Sequence, residues 1–201
     1  MLLGMNENLM ETAEPTTPSD DEIDRRLVAR FVAGDESALD EIVLTHQRRV
    51  THLVHRLLGW PDGVEDIVQE VFVAVLSNLH RFRSESRFST WLTRIAVNKC
   101  RSHQRRQLLW RRIRPRLVDR YRAVNGDAQN ADSTDCHDIV REAVQTLPIK
   151  FREPIVLRYF EQLSVTEIAD VLGLSPGAVE VRLSRARQRL KDKLGRHFGR
   201  E

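Results

Sequence analysis

Ser164-Val165-Thr166-Glu167-Ile168-Ala169-Asp170-Val171-Leu172-Gly173-Leu174-Ser175-Pro176-Gly177-Ala178-Val179-Glu180-Val181-Arg182-Leu183-Ser184-Arg185-Ala186-Arg187 is the most informative stretch of the chain. Its first four residues form a capping box: the Ser hydroxyl and the Glu carboxylate satisfy each other's free backbone amides and open a helix from Val165 to Leu172. Gly173 supplies permissive backbone for a turn, and Ser175-Pro176 restarts a helix as N-cap and first helical residue. Ala169 is small where two helices must cross, while Ile168, Leu172, Leu174, Val179 and Leu183 supply a shared core. The pattern predicts a helix-turn-helix, whose second helix enters the major groove of DNA. A plain helical hairpin has the same outline. The balance tips on Arg182, Arg185, Arg187, Arg189, Lys191 and Lys193, which run along the second helix.

Outward from there the pattern stays helical. Leu39, Ile42, Val43, Val50, Leu53, Val54 and Leu57 recur at three and four, an apolar stripe on a helix from about Glu36. Gly59-Trp60-Pro61 breaks it, and Asp62 with Glu65 predicts a capped start for the next helix. That helix carries Val64, Ile67, Val68, Val71, Phe72, Val75 and Leu79 on one face. Arg83-Ser84-Glu85-Ser86-Arg87 reads as a polar loop; Phe88, Trp91, Leu92 and Ile95 then start a helix that turns basic after Asn98. Leu117 to about Asp135 reads as linker, a second helical group opens near Cys136, and Pro148 precedes a helix from Ile149 that contains Pro154. No alternating strand pattern appears, so the expected fold is all-α: two small helical domains joined by a flexible linker, the second containing the helix-turn-helix. The expected divisions are a disordered acidic tail at 1–26, a first domain at 27–107, a linker at 108–137, a second domain at 138–194 and a C-terminal tail at 195–201.

Charge supports the division. The 201 residues carry a net +3, but the first 24 hold seven acids and no Lys or Arg. Without them, 32 basic residues face 22 acidic ones. The surplus falls in two blocks, Arg94 to Arg122 with only Asp119 opposing, and Arg182 to Arg200 with only Asp192 opposing. Two basic stripes across a polar spacer suit a bipartite polyanion binder, although charge alone leaves that level with two solvated helix faces. The longest apolar run, from Val71 to Leu76, is too short to span a bilayer, and no basic flank marks a leader peptide. Two cysteines, Cys100 and Cys136, make no disulfide framework, so a reducing cytoplasm is expected.

Two segments together resemble a known family. Val64-Glu65-Asp66-Ile67-Val68-Gln69-Glu70-Val71-Phe72, followed by Arg81-Phe82-Arg83-Ser84-Glu85-Ser86-Arg87-Phe88-Ser89-Thr90-Trp91-Leu92-Thr93-Arg94-Ile95-Ala96-Val97-Asn98, resembles region two of bacterial sigma factors of the extracytoplasmic-function (ECF) group. Leu147-Pro148 through Ala169, with Gly177-Ala178-Val179 to Arg185-Ala186-Arg187, resembles their region four. The resemblance implies a protein that directs core RNA polymerase to promoters, recognises minus-thirty-five and minus-ten elements and assists melting. Its partners would be the clamp helices of the largest polymerase subunit, the flap of the second-largest subunit, promoter DNA and, by family habit, an anti-sigma factor; no membrane is involved.

By that resemblance Asp66, Gln69 and Glu70 meet core polymerase. The loop residues Arg83, Ser84, Glu85, Ser86 and Arg87 capture an unpaired minus-ten base, and Asn98, Lys99, Arg101, His103, Arg105 and Arg106 line nearby promoter DNA. Phe88 and Trp91 fit the apolar helix face and are assigned mainly to core. On the minus-thirty-five side stand Gly177, Ala178, Glu180, Arg182, Ser184, Arg185, Arg187, Arg189 and Lys191. Free amides at Gly177 and Ala178 suit a phosphate, Arg182 and Arg185 are spaced to read guanine edges, and the later cations hold phosphates. Glu180 and Val181 depart from the family pattern; Glu180 either accepts from a cytosine amino group or avoids phosphate.

Other chemistries have weaker support. His46, His52 and His55 lie on or beside one helix without a cysteine or clear carboxylate partner, and Cys100/His103 and Cys136/His137 sit on different modules. No cofactor, metal or catalytic residue is expected, and phosphate-loop, nucleophile-elbow and HExxH motifs are absent from the sequence. The runner-up is a two-module helix-turn-helix regulator that acts without joining polymerase.

Overall fold

Ser19 opens the first element of the computed structural model, which describes residues 19–59, 63–113 and 136–198. The Ser19 hydroxyl accepts from the Glu22 amide at 3.4 Å, and the Glu22 carboxylate accepts from the Ser19 amide at 3.0 Å. This capping box starts α1 (Asp20–Val32). The end of the expected disordered tail is thereby corrected. Residues 20–26 are helical, and Asp24, Leu27 and Val28 are buried. Asp24 reaches His46 Nε2 at 2.8 Å, so a short acidic helix is held by a partner 22 residues away. The rest of that tail, 1–18, lies outside the described residues.

α2 (Ser37–Leu58) stops at Gly59, whose φ of +78° is the left-handed conformation that glycine adopts without strain. A Cβ there would also stand 2.9 Å from Arg152 Nη1, so that guanidinium would have to shift to admit one. α3 (Val64–Asn78) begins after Gly63 without a side-chain cap; Asp62, expected as that cap, lies outside the described residues. A 3-10 turn, Leu79–Arg81, and the loop 83–87 lead into α4 (Phe88–Ile113). α4 takes 108–113 from the expected linker, because no Gly or Pro interrupts the chain before Pro115. The second group is α5 (Cys136–Gln145), α6 (Ile149–Tyr159), α7 (Val165–Leu172) and α8 (Pro176–Phe198). Helix thus also covers 136–137 and 195–198, where linker and tail were expected. The remaining linker positions, 114–135, lie outside the described residues.

Helices α2, α3 and α4 pack on one another and α1 packs on α2 and α4, while α5 to α7 each pack on α8. The all-α, two-module expectation holds. The modules also dock. α4 lies against α7, and α2 against α5 and α6. Buried residues of both groups, from Ile42, Leu53 and Leu92 to Ile168, Val179 and Ala186, belong to one continuous apolar core.

Charged groups complete the junction. Arg101 forks onto Glu153, Nε to Oε1 and Nη2 to Oε2, both at 2.7 Å, and its Nη1 donates to the Leu172 carbonyl at 3.2 Å. Arg49 Nε donates to Glu161 Oε2 at 2.8 Å. The two carboxylates are only 5% and 2% exposed. Arg152, its pKa pushed down by burial, donates to the carbonyls of Leu57 at 3.0 Å and Leu147 at 3.1 Å, and to that of Gln145. It thereby caps the C-terminal ends of α2 and α5, where free carbonyls gather negative charge.

Candidate nucleic-acid interface

The helix-turn-helix is built as its local chemistry predicts. Ser164 Oγ accepts from the Glu167 amide at 3.2 Å, and Ser164 N donates to Glu167 Oε2 at 2.8 Å. Gly173 closes α7 at φ +66°, and Ser175 Oγ accepts from the Ala178 amide at 3.3 Å, so the amide expected to be free for a phosphate is instead taken by the N-cap serine. Val179, Leu183 and Ala186 bury one side of α8. The opposite side leaves Gly177, Glu180, Val181, Ser184, Arg185, Arg187, Arg189 and Lys191 exposed. Arg182 is half-buried, as is Ala178, so the expected pair of outward arginines is unequal and Arg185 is the freer one. Arg189 is drawn over the Phe151 ring, 5.0 Å from its centroid, which uses part of its side chain for packing.

The capping box makes this motif acid-sensitive. The Ser164 amide, then its hydroxyl, hold the Glu167 carboxyl below its ordinary value of 4.5. A lowered folded-state pKa contributes stability above the unfolded value and loses it as pH falls through the folded one. Glu167→Gln, which keeps a capping side chain, should flatten the fall in urea stability measured from pH 5 to pH 3.

In the first module the loop residues Arg83, Ser84, Glu85, Ser86 and Arg87 are all exposed, with Ser84 at φ +57°. Beneath them Phe82 meets Phe88 edge-on at 5.5 Å and Trp91 at 5.3 Å, and His46 lies 5.3 Å from Phe88. This aromatic cluster fixes both ends of the loop. Phe88 is 1% exposed and Trp91 half-buried, as expected of core residues. The loop borders the second module, where Thr90 Oγ1 donates to Glu167 Oε1 at 3.4 Å.

On α4 the predicted residues part company. Asn98, Arg105 and Arg106 are exposed, and Lys99 and His103 half-buried. Burial, then Arg106, lowers the His103 pKa, which favours the neutral ring. Arg101 is turned to Glu153, away from that face. Arg94, absent from the predicted contact set, is exposed four residues before Asn98 and shares its side of the helix. Its spacing was the available signal.

On α3, Asp66 and Gln69 are exposed, but Glu70 is turned to α4. It accepts from Arg106 Nη2 at 3.0 Å and stands 3.6 Å from Lys99 Nζ; Arg106 chiefly holds its carboxyl below the usual range. A residue expected at polymerase is therefore engaged by two cations expected at DNA. Sequence reasoning missed Val73 and Leu76. They are 63% and 46% exposed and continue the line of Asp66 and Gln69 at helical spacing. Their absence from the buried stripe of α3 was the signal.

Among the described side chains the other candidates do not assemble. Cys100 is buried and its thiol is pushed up to about 12, which keeps it protonated at neutral pH. Among the described residues, no three His, Cys, Asp or Glu converge as metal ligands. His46 instead bonds the buried Asp24.

Residues 42–108 match the Sigma-70 region 2 family, and 137–190 match Sigma-70 region 4. The ECF RNA polymerase sigma-E factor of Escherichia coli K12 is 34% identical over 183 residues, covering 85% of this chain and 94% of that one. The chain belongs to the ECF sigma factors. Among solved structures, CnrH in complex with the cytosolic domain of CnrY is 30% identical with a TM-score of 0.60, covering 86% of this sigma factor and 97% of that chain. The sigma factor RpoE of Bartonella quintana, in complex with the anti-sigma factor NepR, shares the fold at 22% identity and TM-score 0.59, covering 77% and 95%. This sigma factor therefore serves RNA polymerase in promoter-specific transcription initiation, within a family of non-catalytic initiation factors. Among its described residues no helix is long and apolar enough to cross a membrane.

Proposed function

We propose that α8 reads the minus-thirty-five element in the major groove, and that the loop 83–87 with the exposed face of α4 captures and holds the unpaired minus-ten region. The carrying observation is the division of α8, with Val179, Leu183 and Ala186 in the core and Glu180, Val181, Ser184 and Arg185 free on the far side. Melting then needs no catalytic group, since contacts to an extruded base and polymerase's grip on DNA offset an unstacking cost of about a few kcal/mol. Asp66 and Gln69, extended by Val73 and Leu76, form the contact to the polymerase clamp helices, and the second module meets the flap. Charge at one end and apolar surface at the other suit a protein partner better than a phosphate backbone. An anti-sigma factor and a cytoplasmic setting complete the reading, with functional modules at about 27–107 and 138–194.

Reconstituted transcription tests it. Core polymerase plus this protein should initiate at a defined promoter set, and loss of both complex formation and initiation would refute the sigma reading of these surfaces. Within that assay, Arg185→Ala should cost about 1–3 kcal/mol on the specific upstream element and little on random DNA. Lys191→Ala should weaken all DNA alike and flatten the salt slope, as for a phosphate contact. Equal losses on specific and random DNA for both variants would contradict the assignment.

A further inference from the structure

Val181 is the one exposed large apolar side chain among the described side chains of α8, with 49% of its surface open. Nothing in the helix-turn-helix core requires it, because Val179, Leu183 and Ala186 already fill that side. Its place on the helix is informative. It lies in the second turn, where its neighbours one turn away are Gly177, Ala178, Ser184 and Arg185; the first three are short, and all but the half-buried Ala178 are exposed. A Cβ at Gly177 would meet nothing within 4 Å, so the approach to that turn is open. The preceding residue, Glu180, is also exposed. A carboxylate facing a phosphate backbone is repelled, which leaves base edges as the surface this turn can accept.

We propose that Val181 is a specificity residue that packs against the 5-methyl group of a thymine in the upstream element. This rests on the reading of α8 as the helix that enters the major groove. Thymine alone among the four bases carries an apolar group there, so a branched apolar side chain selects it over cytosine and the purines. Valine in a helix is held in one main rotamer, so little side-chain freedom is lost on contact.

The test uses the full chain assembled with core polymerase. The holoenzyme selects upstream elements from a randomised library, and each thymine of the enriched element, on either strand, is then replaced singly by uracil, which removes only the methyl group. One replacement should weaken the wild-type holoenzyme about four-fold, the worth of one buried methyl group. The Val181→Ala holoenzyme should be indifferent to that replacement, with its helix content and thermal unfolding unchanged. The proposal is overturned if wild type tolerates uracil at every thymine, or if Val181→Ala keeps the full penalty. In either case the enriched element still upholds α8 as the reader. If no upstream sequence is enriched, the reading of α8 fails and the proposal with it.

Discussion

Phe88→Ala should lower the free energy of unfolding by about 3–5 kcal/mol, read as a shift of the urea midpoint. Phe88 is 1% exposed and starts α4, directly after the loop that is expected to capture a base. Its ring touches those of His46, Phe82 and Trp91 within 5.5 Å, so truncation opens a cavity that three rigid rings cannot collapse to fill. Phe88→Leu leaves a smaller void and should cost less. The same truncation frees both ends of the loop, so minus-ten binding by holoenzyme should weaken under conditions where Phe88→Ala remains folded. A stability loss below 1 kcal/mol would show that the cluster is not packed as described.

Glu153→Ala should destabilise by about 3 kcal/mol, the low end of what breaking a buried ion pair costs. The low end applies because a quarter of the Arg101 side chain still reaches water. The carboxylate itself is nearly sealed and holds a two-pronged contact, so its loss leaves the guanidinium with only the Leu172 carbonyl. Glu153→Gln keeps one hydrogen bond and should lose less. Arg101→Met combined with Glu153→Leu should be milder than either pair-breaking single change, because no unmatched charge remains. A double-mutant cycle in urea reads the coupling directly, and strict additivity would mean that the two side chains do not interact in solution.

The parts of this protein that the sequence reveals are those written in local backbone chemistry. Ser164 with Glu167, Gly173, and Ser175 with Pro176 each act within four residues, so the helix-turn-helix is legible without any tertiary knowledge. The stripe on α2 is legible for the same reason, being a periodicity of one helix. α1 hides because its first residues are acidic and its security comes from His46, although Ser19 and Glu22 carried a usable cap signal. The roles of Arg101 and Glu70 are hidden more deeply. Each is a charged residue in a charged neighbourhood, and only tertiary packing, which sets Arg101 of α4 beside Glu153 of α6 and Glu70 of α3 beside Arg106 of α4, decides which opposite charge it meets. Val73 and Leu76 stood between these cases. They are apolar at positions that a strict reading of the stripe leaves on the polar side.

The docked arrangement of the modules also bears on how the chain reaches its native state. Helical bundles fold fast because most of their contacts are local. Here the junction joins residues far apart in sequence: Arg101 and Glu153 are separated by 52 positions, Leu57 and Arg152 by 95, and Arg49 and Glu161 by 112. Closing those loops is the entropically dearest step, so each helical group should condense from its own neighbours and the junction should form last. Late-forming contacts act on the escape from the native state more than on entry to it. The clasp of arginines and buried glutamates therefore sets chiefly how long the folded molecule survives between unfolding events, while the speed of refolding belongs to the helices on either side.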